Sequence, residues 1–268
     1  MTAGPGRTRL DVWLVEQGLV ESRHKAQALV MAGRVTVDGA PAGKPGLGVK
    51  AGHRIELVPG PAHVGRGALK LAGALEAFHL EPAGRVCLDI GASTGGFTQV
   101  LLERGARRVY AVDVGSAQLH ETLRHDPRVV LREGVNARRL SHSDVPEPCS
   151  LVAIDVSFIS LLKVLPALPD VCAAGTDVVA LVKPQFELAR RDVGRGGVVR
   201  EPSLHRRALR AVAEGAVALG YTLFAAVASS IEGAEGNREF FLQLGLGAGA
   251  AGADVDRLVE AAVPGASA

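Results

Sequence analysis

The chain has 268 residues, enough for one large domain or for a small domain followed by one of ordinary size. Hydrophobic residues make up 47% and charged residues 22%, a globular composition, and aromatics at 4% leave the core to Val, Leu, Ala and Ile. The net charge of +2 hides a division: residues 1–70 hold ten Lys/Arg against five Asp/Glu, and the remainder holds 20 against 23. A basic front on a mildly acidic body suits a module that binds a polyanion, or is a solvated surface with a few extra Arg.

Nowhere do 18 apolar residues run together, which excludes a transmembrane helix, and no apolar segment follows Arg7 and Arg9 as a signal peptide requires. The three cysteines, Cys87, Cys149 and Cys172, are odd in number and lack C-x-x-C spacing. They read as small buried hydrophobes in a reducing compartment, so a cytoplasmic protein without a metal site is expected.

In chain order, Leu10, Trp13, Leu14 and Val15 have helical spacing that Gly18 stops. Ser22 is an N-cap for a second helix with apolar Ala26, Leu29 and Val30, closed by Gly33. VTVDG and HRIELV then alternate as strands, with a D-G turn after the first. Two short helices and a small hairpin therefore fill residues 1–59 as a small α+β domain, and the Pro/Gly-rich residues 60–66 are a linker.

From about residue 84 apolar strands alternate with helices: 86–91, 109–115, 129–131, 151–159, 178–186, 223–228 and 239–244, with helical stretches at 97–105 and 205–220. This rhythm predicts an α/β fold over 67–268, a doubly wound, Rossmann-like parallel sheet. No helix separates the last two strands, so the final strand is expected to be antiparallel. A low-complexity GAGAAGA stretch and a short helix at 254–263 follow.

The sharpest local signal is DIGASTGGFT, residues 89–98, where the first strand of the sheet meets its first helix. Glycines there let backbone amides approach a ligand, and Asp113 ends the next strand, where a carboxylate can accept both hydrogen bonds of a ribose diol. The loop departs from the dinucleotide fingerprint: Gly91 is followed by Ala92, Ser93, Thr94 and Gly95, so the glycine that admits a pyrophosphate is Ser93. An opening acid at Asp89 fits S-adenosylmethionine better, since that ligand has no pyrophosphate and carries a cationic amino group and sulfonium. Asp155 and Lys183 terminate two further apolar strands, at the same rim as this loop; a structural ion pair is the alternative reading.

In order along the chain, GRGALKL (65–71), DIGASTGGFT, DVSFIS (155–160), LVKPQFE (181–187) and GNREFF (236–241) resemble the TlyA/hemolysin A family. Its members look like FtsJ-type ribose 2′-O-methyltransferases placed behind an RNA-binding domain of the ribosomal-protein S-four type, and residues 9–39 are similar to that domain. The resemblance covers about residues 8–244. It implies a catalytic set of Lys70, Asp155, Lys183 and Glu239, with S-adenosylmethionine as methyl donor and a cytidine ribose of ribosomal RNA as acceptor. Lys183, relieved of its proton by burial and by the neighbouring Lys70, would act as base, with Asp155 and Glu239 orienting the two lysines.

The resemblance further implies cofactor contacts from Asp89, Gly91, Ala92, Ser93, Gly95 and Asp113. Asn136 would contact the adenine or merely form a turn. Arg7, Arg9, Arg23, His24, Lys25 and Arg34 are candidate phosphate contacts. Partners are expected to be ribosomal RNA or ribosomal subunits, with no membrane and no obligate protein partner. The chain departs from the family in GSAQL (115–119), where a Tyr is usual, and in REGVNAR (132–138). The alternatives are a catalytically silent ribosome-binding assembly factor, a membrane-active hemolysin and an NAD-dependent oxidoreductase.

Overall fold

A computed structural model of the chain describes residues 7–31, 33–50, 52–58, 63–233, 236–247 and 252–263. Part of the expected linker (60–62) and of the GAGAAGA stretch (248–251) lies outside the described residues. The chain divides into two compact units, Met1–Arg66 and Gly67–Ala268.

The front unit runs β1 (Thr8–Arg9), α1 (Leu10–Glu16), α2 (Arg23–Met31), β2 (Val35–Val37), β3 (Ala40–Pro41), β4 (Gly48–Val49) and β5 (Ile55–Leu57). The Ser22 hydroxyl accepts the Lys25 N–H at 3.2 Å, so the expected N-cap forms. Asp38 and Gly39 both take positive φ, as a tight D-G turn between β2 and β3 demands, while β5 pairs on the other side of β2. The antiparallel β1–β4 pair has no signature in the sequence; two residues per strand are too few to alternate. Leu10, Leu14, Val20, Ala26, Val30 and Val35 close the core.

The second unit begins with α3 (Gly67–Ala77), a helix with no counterpart among the expected elements, which buries Ala68, Lys70, Leu71, Ala74 and Leu75 along one face. There follow β6 (Val86–Ile90), α4 (Gly96–Glu103), β7 (Arg108–Asp113), α5 (Glu121–Arg124), β8 (Val129–Glu133), β9 (Cys149–Ile154) and β10 (Cys172–Val182). The chain ends with α6 (Pro184–Glu187), α7 (Pro202–Ala218), β11 (Tyr221–Ala228), β12 (Phe240–Leu246) and α8 (Val255–Ala262). The seven-stranded sheet has the order β11-β12-β10-β9-β6-β7-β8. β6 to β10 are parallel, and β12 inserts antiparallel between β10 and β11.

Two expected strands end earlier than the apolar runs that suggested them. The run 151–159 leaves the sheet after Ile154, and Phe158 turns into positive φ. The run 178–186 stops at Val182, because Pro184 lacks an N–H for the ladder and opens the single turn α6 instead. Cys87 and Cys149 are buried, Cys172 only partly, and all three are free thiols. Burial pushes the Cys87 and Cys172 thiols up to about 12, consistent with a packing role.

Candidate active site

The strand registers bring distant residues to one rim. Asp155 follows Ile154 at the end of β9, and Lys183 follows Val182 at the end of β10. Because β12 is antiparallel and Val182 pairs with Phe240, the residue before β12, Glu239, emerges at that same end. Lys70 reaches the rim from the buried face of α3.

The four side chains form two ion pairs. Lys70 Nζ lies 2.6 Å from Glu239 Oε2, with the side chains 10% and 3% exposed. Lys183 Nζ lies 2.5 Å from Asp155 Oδ1 and donates to Ser157 Oγ at 2.9 Å. The pairs are neighbours: Gly67, on the first turn of the helix that carries Lys70, faces Asp155 Oδ2. Gly233 packs so closely on the Glu239 carboxylate that a Cβ would collide with it.

Beside the pairs lies a cleft of about 550 Å³, lined among others by Gly91, Ser93, Asp113, Asn136, Asp155 and Phe158. A smaller cavity of about 120 Å³ adjoins it, lined by Gly67, Gly91, Ala92, Ser93, Thr94, Gly96, Phe97 and Asp155. Gly91 has φ +87, and a Cβ there would strike the Asp155 carbonyl oxygen. Gly95, also left-handed, caps α4, and Gly96 lets that helix pack against the backbone at Ala68. Asp113 accepts the Ser93 N–H at 2.8 Å and the Gly115 N–H at 2.7 Å, which fixes its carboxylate at the cleft wall. Each oxygen keeps a further lone pair for a hydroxyl.

Two expected cofactor residues have partners within the fold. Asp89 is fully buried and lines neither cavity; it accepts the Thr98 hydroxyl at 2.6 Å beneath the loop. Desolvation, opposed by that hydrogen bond and reinforced by Asp155 and Asp113, raises its pKa to about 7. Asn136 accepts the Arg138 N–H at 3.1 Å and so forms the turn, while also lining the cleft.

The residues that sequence reasoning missed belong to the loop after β9 and to α6. Phe158 is 90% exposed at positive φ, and its ring packs against Phe186 with centroids 4.9 Å apart. Glu187 accepts the Leu161 N–H at 2.9 Å, and burial raises its pKa. Both lie within quoted motifs, but neither an outward aromatic nor a positive φ has a signature in composition or periodicity.

In the front unit Arg7, Arg9, Arg23, His24 and Lys25 are exposed. Arg34 is partly buried and donates to the Val58 carbonyl at 2.9 Å, which makes it a structural tie as much as a phosphate contact.

A family model for FtsJ-like methyltransferases matches residues 63–246, and one for the S4 domain matches residues 8–55. The chain belongs to the FtsJ-like methyltransferase family. As such a methyltransferase it takes its methyl group from S-adenosylmethionine, and Gly91, Asp113 and the cleft fit that cofactor as a close-approach loop and a diol acceptor. It is 50% identical over 240 residues to the 16S/23S rRNA (cytidine-2′-O)-methyltransferase TlyA of Mycobacterium tuberculosis, covering 89% of this chain and 90% of the relative. It is 39% identical to Hemolysin A of Brachyspira hyodysenteriae, covering 87% and 97%. A solved structure described as a hemolysin candidate from Streptococcus thermophilus superposes with TM-score 0.74 at 42% identity, covering 97% and 95%. Among the described residues no helix of this methyltransferase is long and apolar enough to cross a membrane.

Proposed function

We propose that the chain methylates a ribose 2′-hydroxyl of ribosomal RNA, the acceptor being a cytidine as in the name of the Mycobacterium relative. The observation that carries this reading is the pair of lysine–carboxylate bridges, Lys70–Glu239 and Lys183–Asp155, meeting at one rim beside the cleft. When bound, S-adenosylmethionine supplies an electrophilic methyl group on a sulfonium.

A 2′-hydroxyl is a weak nucleophile while it keeps its proton, so a positioned base must take it as the oxygen–carbon bond forms. Lys183 is that base in this reading: held by Asp155 and Ser157 from two sides, it hands its own proton to the Asp155 carboxylate as it takes the one from the hydroxyl. Lys70, bridged to Glu239, contributes a fixed positive charge near the reacting oxygen. Much of the acceleration comes from holding the hydroxyl in line with the methyl group, which positioning alone supplies. The outward ring of Phe158, braced by Phe186, offers a face on which an unstacked base rests. The front S4 unit, with its exposed basic side chains, grips RNA phosphates.

The test is transfer of labelled methyl from S-adenosylmethionine to unmodified small and large ribosomal subunits, comparing wild type with K183A. The expected result is label in RNA that renders one linkage alkali-resistant, reduced at least about a hundredfold in K183A. Cofactor binding without label on either subunit would instead favour a silent assembly factor.

A further inference from the structure

The carboxylate of Asp11 takes no part in the site described above, yet its side chain is 0% exposed. It lies on the first turn of α1, and four hydrogen bonds converge on it. Oδ1 accepts from Arg9 Nε at 3.0 Å; Oδ2 accepts from Arg9 Nη2 at 2.9 Å, Arg23 Nε at 3.0 Å and Gln27 Nε2 at 2.8 Å. The Arg9 bonds outweigh the cost of burial and hold the group well below the usual carboxylate range, so it is an anion at any physiological pH.

The two arginines are held differently from their anchor: their side chains are 49% and 55% exposed. A guanidinium has five N–H donors in a rigid plane. Asp11 engages two of those of Arg9 and one of those of Arg23, while each side chain keeps about half of its surface in solvent. Two residues from different elements, β1 and α2, are thereby fixed side by side before any ligand arrives.

We infer that Asp11 is a positioning residue for RNA, which locks Arg9 and Arg23 into a two-guanidinium clamp for backbone phosphates. The inference rests on the reading of the front unit as an RNA grip. A long side chain loses rotamer entropy when it is immobilised on a partner, and a clamp set in advance avoids that loss at binding. The two electrostatic expectations have opposite signs. Removing Asp11 makes the protein more positive, so bulk attraction alone predicts tighter RNA binding by D11N. Positioning predicts weaker binding, because the arginines are released to move.

The experiment measures binding of the full-length protein to unmethylated small- and large-subunit ribosomal RNA, each transcribed in vitro, across a salt series. D11N is expected to weaken binding about tenfold, the scale of one charge-assisted hydrogen bond. The slope of log affinity against log salt should fall by about two, as two phosphate contacts are lost. Cofactor affinity, read on the same preparation, should stay unchanged. In a cycle with R9A/R23A the losses should not add, since both changes remove the same clamp. If D11N disturbs the folding of the front unit, R9K/R23K serves in its place: it keeps the charge and Asp11 but removes the fork, and is also expected to lose about tenfold. D11N binding that is unchanged or tighter, additive losses, or wild-type affinity in R9K/R23K would each overturn the clamp. Wild-type protein that binds neither RNA would overturn the reading of the front unit itself.

Discussion

Asp89 is a buried group through which the loop above it is expected to respond to pH. Its carboxyl is fully buried, its pKa is raised to about 7, and the Thr98 hydroxyl donates to it at 2.6 Å. A carboxyl whose folded pKa lies above its unfolded value of about 4 binds its proton more tightly when folded. It therefore favours the folded state in acid, and that contribution is lost as pH rises from about 4 to about 7 and is absent above. In chemical denaturation, the stability difference between wild type and D89N should fall across this window and level off beyond it. A cationic cofactor favours the ionised form, so cofactor affinity of wild type should rise between about pH 6 and about pH 8. D89N should show a flat profile in calorimetric titration. A variant that keeps the wild-type slope would remove Asp89 from this role.

At the scale of elements, the loop after β9 and the single turn α6 act as one piece. Lys183 caps α6 and bonds both Asp155 and Ser157; Phe186 packs against Phe158; Glu187 accepts the Leu161 N–H. Phe158 holds its outward, positive-φ pose only because neighbours over-determine it, and such strain collects at functional sites. Deleting the carboxylate of Glu187 orphans the Leu161 N–H and loosens the segment that presents Phe158 and Ser157. E187A is expected to lower kcat/KM for RNA by about tenfold, the cost of one buried hydrogen bond to a charged group. E187Q retains an acceptor oxygen and should stay within about twofold of wild type. Steady-state methyl transfer with both variants checks this; equal losses would mean that the charge, not the brace, matters.

At the scale of the molecule, each unit closes its own core. Leu10, Leu14, Ala26 and Val35 meet in the front, and the apolar faces of β6, β9, β10 and β12 meet α7 in the second. A unit with its own core can fold alone. The segment Gly67–Ala268 expressed by itself should melt cooperatively and bind S-adenosylmethionine, since the cleft residues Gly91, Asp113 and Asp155 all belong to it. Its affinity for ribosomal RNA should fall and lose most of its salt dependence, because the Arg and Lys side chains of residues 7–34 are gone. Calorimetry and a filter-binding salt series read both outcomes. Undiminished RNA binding by the segment would place the main RNA surface on the methyltransferase unit.

Much of the fold and of the cleft at its strand ends is legible in the amino-acid sequence. Runs such as VCLDIG and VYAVDVG are too apolar for a strand with one wet face, so they announce a sheet covered on both sides. The glycines and Asp113 of the crevice follow from the strand–loop–helix pattern, and Ser22 from its position before an apolar helix face. These features are local: periodicity and turn chemistry act over a few residues. The insertion of β12 between β10 and β11 has no such local sign, yet it alone carries Glu239 to the rim. The pairing of Lys70 with Glu239 across 169 positions, the outward turn of Phe158 and the burial of Asp11 under two arginines are likewise tertiary. Which strands become neighbours, and which charges a fold leaves desolvated, is decided by the free energy of the whole packed chain, where no window of sequence can read it.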